Sequence, residues 1–132
     1  MNFSSLVLME RNKENNQFIR ELGSFEVSDG AEYITKMYYD GEKINVFFDT
    51  NKDVLEWEFS AIFDLFNEDA FTDRGYDIEE IDDEYNPTWK VKLDYFEEHK
   101  VMGEKISGLC DLIEDEILKV FDNIKDKKEI YE

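Results

Sequence analysis

The dipeptide Asp40-Gly41, set between two runs of alternating apolar and polar residues, constrains this chain more than any other feature. A two-residue Asp-Gly loop favours the backbone geometry of a tight hairpin, which commits its flanks to neighbouring antiparallel strands. Placing Tyr39 opposite Glu42 pairs Met37 with Ile44, Thr35 with Val46 and Tyr33 with Phe48 on a mostly apolar face. Lys36, Tyr38, Lys43 and Asn45 then fall on the second face, together with a pairing of Ile34 and Phe47.

Two more strands precede the hairpin. Phe3 to Met9 is short and apolar, Asn12 to Asn16 is a polar break, and Phe18 to Val27 follows. Phe18 and Leu22 differ in parity from Phe25 and Val27, and a bulge at Gly23 and Ser24 reconciles them. Beyond the hairpin, Thr50 reads as a helix N-cap with Asp53 in the first turn, so a helix is expected from about Lys52 to Asn67. Its apolar residues cover an arc of about 200°, wide for a helix lying on one sheet. Tyr76 to Asp82 reads as a strand, and Trp89, Val91, Leu93 and Tyr95 alternate with Lys90, Lys92 and Asp94 in a second. Met102, Ile106, Leu109, Cys110, Ile113, Ile117, Val120, Phe121 and Ile124 share one face of a final amphipathic helix. Gly103 and Gly108 weaken its first two turns.

The expected fold is therefore α+β: an antiparallel sheet of about six strands, element order ββββαββα, with two helices packed on one face. Residues 1–132 are expected to form one compact domain whose C-terminal tail frays from about residue 125. Twenty aromatic residues supply a core despite a formal charge of −19.

That charge is concentrated. Fourteen of the 34 acids lie between Asp49 and Glu84, opposed only by Lys52 and Arg74, so this stretch carries −12. Twelve lysines and three arginines in the whole chain argue against direct nucleic-acid binding, because phosphate contacts need cations. Anionic membrane surfaces are disfavoured for the same reason, and no apolar run approaches the ~20 residues that cross a bilayer. One cysteine, and no secretory-type start over Met1 to Met9, point to a cytoplasmic location.

No motif demands catalysis. Asp49, Asn51 and Asp53 begin like a calcium loop, but Val54 stands where glycine is needed and Ser60 where a bidentate glutamate is needed. His99 is the lone histidine, Cys110 falls in an apolar stripe, and the six glycines are dispersed, so no metal, cofactor or catalytic residue is assigned. Asp77 to Glu84 holds six acids in eight residues. Read structurally, it is a charged edge strand that resists aggregation, partly neutralised by Lys90 and Lys92. Read functionally, Asp64, Glu68, Asp69, Asp73, Asp77, Glu79, Glu80, Asp82, Asp83 and Glu84 form a surface for a basic partner. Glu58 projects within the apolar arc of its helix as a buried-acid candidate, with Trp57 at the arc's margin as an interface candidate.

The preferred expectation is a small acidic, non-enzymatic binding or regulatory protein that engages a basic protein partner, with spare apolar helix surface for a homodimer. The alternatives are a nucleic-acid mimic that inhibits a DNA- or RNA-binding protein, and a carboxylate-dependent binder of a small ligand or divalent cation.

Overall fold

The computed structural model describes residues 4–27 and 29–132; Phe3, the expected start of the first strand, lies outside them. Six strands form one sheet: β1 (Ser4–Arg11), β2 (Phe18–Val27), β3 (Ile34–Tyr39), β4 (Ile44–Asp49), β5 (Asp77–Ile81) and β6 (Thr88–Leu93). The helices are α1 (Glu56–Leu65), α2 (Asp69–Thr72), α3 (His99–Ile124) and α4 (Lys128–Tyr131), and a 3-10 helix, Asp29–Tyr33, joins β2 to β3. This is an α+β fold with more helices than the two expected.

The sheet is mixed, not purely antiparallel. Its order is β2-β1-β3-β4-β6-β5, and β1 pairs parallel to β3 at Met9 with Tyr38 and Glu10 with Tyr39. The reason lies in the connection. β2 returns to the end where β1 starts, and the 3-10 helix then carries the chain across to the free side of β1, so β3 sets off in the direction of β1. Space for that crossing comes from Gly30, where a Cβ would lie 2.0 Å from the carbonyl oxygen of Cys110 on α3.

The β3–β4 hairpin exists with its register shifted by two residues. Tyr39 faces Ile44 and Met37 faces Val46, because the loop residues are Gly41 and Glu42, not Asp40 and Gly41. Asp40 N–H donates to Lys43 O at 3.0 Å, and Asp40 Oδ1 accepts the N–H groups of Glu42 at 2.9 Å and Lys43 at 2.8 Å. Asp40 thus closes the turn from outside it, and Gly41 takes the positive φ of 95° at the first loop position. Burial pushes the Asp40 carboxyl up, but the hydrogen bonds from Lys43, Asn45 and Glu42 outweigh this and hold it below its ordinary value. From Lys36 onward the even shift keeps each side chain on its face, so Met37, Ile44, Val46 and Phe48 are buried as their alternation requires. A bulge leaves Thr35 unpaired and brings Ile34 opposite Phe48, which replaces the expected pairing of Ile34 with Phe47. The bulge between β1 and β2 falls at Leu22, beside Gly23, with a second irregularity at Ile19.

The first long helix starts later than its periodicity predicts. Asp49 Oδ1 accepts the Asn51 N–H at 2.8 Å, Asn51 adopts a φ of 56°, and Thr50 Oγ1 donates to Lys52 O at 2.8 Å. This local turn absorbs the residues expected to form the first helical turn. α1 begins only at Glu56, and α2 is separate from it. α3 runs unbroken through Gly103 and Gly108 because its apolar side packs on β2, the 3-10 helix and α1. Where fraying is expected beyond residue 125, α4 packs on α1 and the Tyr131 hydroxyl donates to Asp64.

The core lies on one side of the sheet. Trp89 is fully buried among the rings of Phe66 (4.2 Å between centroids), Phe63 (5.3 Å) and Phe48 (5.4 Å), with Phe71 stacked on Phe48. β4, β6, α1 and α2 are thereby joined through aromatic contacts. No helix formed by the described residues is long and apolar enough to cross a membrane.

Candidate functional site

β5 is the last strand of the sheet, so the acidic segment forms a true edge. Ile78 and Ile81 are half-buried, while Asp77, Glu79 and Glu80 are exposed. Asp77 faces Lys92 and Glu79 faces Lys90 across the ladder, with Lys90 Nζ 3.9 Å from Glu79 Oε1. The cross-strand lysines therefore offset two of the three carboxylates on the strand.

Glu80 lies on the other face, in register with Trp89, and there it meets half-buried Glu68 at the start of α2. Burial, followed by the hydrogen bond to Glu80 and the charges of Glu80 and Asp69, pushes the Glu68 carboxyl up to about 7. The Glu68 carboxyl resists ionisation here, since a charge on it would sit against the Glu80 carboxylate.

The remaining candidates divide by position. Asp82, Asp83 and Glu84 are exposed in the β5–β6 turn, and Asp69 and Asp73 are exposed on and just after α2. Among the described residues, no Lys or Arg forms an ion pair with any of these five. Asp64 does not join them. It lies near the end of α1, where the Tyr131 hydroxyl of α4 donates to it. Nine of the ten acidic candidates thus lie along α2, β5 and the following turn.

Glu58 is half-buried, and its Oε1 accepts the Leu55 N–H at 2.8 Å. It satisfies an otherwise orphaned donor at the start of α1, which explains a carboxylate among apolar neighbours. Trp57 is half-buried with Leu55, Glu56, Ser60, Tyr131 and Glu132 around a shallow groove, and its indole N–H is buried without a hydrogen-bond partner. The Cys110 thiol is enclosed, and burial followed by the charge of Asp111 pushes it up to about 12. His99 stacks on Phe25 at 4.6 Å, with Nε2 2.9 Å from Ser24 O. No group of three His, Cys, Asp or Glu among the described residues is arranged to hold a metal ion.

Residues 1–132 match the model of a family of unknown function, DUF6762. The chain belongs to that family. No curated protein and no solved structure matches it. Membership brings no activity with it, so the chemistry of the site rests on its own side chains.

One residue at this edge escapes a reading based on charge density. Tyr85 follows the Asp82-Asp83-Glu84 run with 80% of its surface exposed, the most open large apolar side chain among the described residues. Its signal in the sequence is adjacency alone: an aromatic residue between an acidic run and the turn through Asn86 and Pro87. Glu116 was also missed. It is 4% exposed on the packed side of α3 and pairs with Lys119 at 3.3 Å.

Proposed function

We propose that this chain is a non-enzymatic binding or regulatory protein that offers the outer end of its β5–β6 hairpin to a basic protein partner. The observation that carries this reading is the exposed turn Asp82-Asp83-Glu84-Tyr85, with three unpaired carboxylates beside an uncovered ring. An aromatic side chain flanked by acids suits Lys and Arg on a partner, through attraction at long range and cation–π contact at short range. Glu80, Asp69 and Asp73 extend the negative field behind the turn, whereas Asp77 and Glu79 contribute less because lysines face them.

A narrower version, mimicry of a nucleic acid, uses the same edge. It has less support, because Lys90 and Lys92 oppose the carboxylates that would have to imitate regularly spaced phosphates. A carboxylate-dependent ligand site at Glu58 has little support, given its role in closing the start of α1. A second copy would find its apolar contact at Leu55, Trp57 and Ile130.

Affinity capture from native extract at ~100 and ~500 mM salt tests the reading through charge screening. A basic protein retained at low salt and shed at high salt is the expected result. Retention of a partner that is indifferent to salt would overturn it.

A further inference from the structure

The opposite end of β5 has the opposite character. A cleft of about 140 Å³ opens where β5 begins, β6 ends and β4 begins, and Lys43, Arg74, Lys92 and Lys105 line it with only Asp77 and Asp94 opposing them. Four of the chain's fifteen basic residues thus meet in one small space on a molecule of charge −19. Arg74 is one of only two cations in the whole acidic middle of the sequence.

We propose that this cleft binds a doubly charged oxyanion, of which a phosphate monoester group is the best fit. The charges match: Lys43 is engaged by Asp94, and Lys92 faces Asp77, so the lining keeps a surplus of two positive charges. Arg74 provides the directional contact. Its Nη1 donates to Ala70 O at 2.9 Å, which holds the guanidinium in place and leaves its other N–H groups for paired donation to two oxygens. The Lys105 ammonium lies 5.9 Å from the centroid of the Phe96 ring, a side chain that is 37% exposed and borders the same cleft.

Size determines what enters. Pockets that enclose a whole small molecule measure roughly 300 to 1,000 Å³, and this cleft is well below that range. It admits the charged headgroup and leaves the rest of the ligand outside, against Phe96. Repulsion from the distant acids does not prevent this, because exposed charges more than about 10 Å apart are largely screened at 0.1 M salt while contact pairs are not.

The test is a backbone-amide NMR titration of the full chain with inorganic phosphate, and separately with phenyl phosphate, against sodium chloride at matched ionic strength. The expected result is saturable shifts at Gly75, Tyr76 and Lys92 to Phe96 with a dissociation constant of roughly 1 to 10 mM, weakened about tenfold or more by Arg74→Gln and by Lys105→Ala. Tighter binding of phenyl phosphate assigns the site to an esterified phosphate, and equal binding assigns it to the free ion. Shifts that rise linearly without saturating, that spread over unrelated lysines, or that survive both substitutions unchanged would overturn the proposal. Both substituted side chains are exposed, so the unbound spectra of the variants report directly on whether the fold is kept.

Discussion

β6 is packed on both edges, against β4 and against β5, but the two sides are built from different physics. Toward β4, Trp89, Phe48, Phe63, Phe66 and Phe71 fill the interior ring against ring. Toward β5, the solvent side of the ladder is lysine against carboxylate, and the turn that follows holds three exposed acids and an open tyrosine. Buried aromatic surface contributes several kcal/mol per residue, whereas an exposed ion pair contributes less than about 1 kcal/mol. The first side therefore sets stability, and the second is free to carry recognition.

The aromatic side is most vulnerable at Trp89. Trp89→Ala should cost about 3 to 5 kcal/mol in urea unfolding, and a variant as stable as the parent would mean that the aromatic interior is not what holds β6. Gly30→Ala should follow at roughly 3 kcal/mol, because its methyl group has only the backbone oxygen of Cys110 to displace. Thermal unfolding reads both, and a neutral Gly30→Ala would show that the 3-10 helix does not press on α3.

The edge sharpens the contrast through pH. Glu68 has a folded-state value of about 7 against an ordinary 4.5, so its contribution is fully present below pH 4.5 and is lost as pH rises through 7. Stability of the parent should fall over that window by about 1 kcal/mol, after discounting for partial exposure. Glu68→Gln should flatten the fall, since an amide hydrogen-bonds to Glu80 and does not titrate. Equal pH slopes for the two proteins would separate Glu68 from Glu80. Gly108→Ala, where a Cβ meets nothing within 4 Å, should raise stability by about 0.5 to 1 kcal/mol through helix propensity alone. Smallest of all, the combined change Asp82→Lys, Asp83→Lys and Glu84→Lys should leave stability within about 0.5 kcal/mol of the parent.

The same division explains what could be read from the sequence. Period-two alternation placed Trp89, Val91 and Leu93 in the core, and the apolar stripe of α3 was legible across two glycines, since both patterns depend on burial against a large apolar partner. What escaped depends on single polar side chains and on crossings. Asp40 moved the hairpin loop by one residue by accepting two N–H groups, and Asp49 with Asn51 replaced the first turn of the expected helix. The parallel pairing of β1 with β3 rests on a five-residue 3-10 helix that has no periodicity to detect. At the edge, charge density located the acids but did not reveal that Lys90 and Lys92 face two of them, or that Tyr85 stands open beside three others.

In the proposed reading the acidic turn recognises a basic partner. Its most direct test is a paired capture from the same extract at ~100 mM salt, with the parent protein and the triple-lysine variant as baits and the retained proteins quantified by mass spectrometry. The expected result is a basic protein enriched on the parent and absent from the variant, with both baits showing the same circular dichroism. The same partner retained equally by both would contradict it.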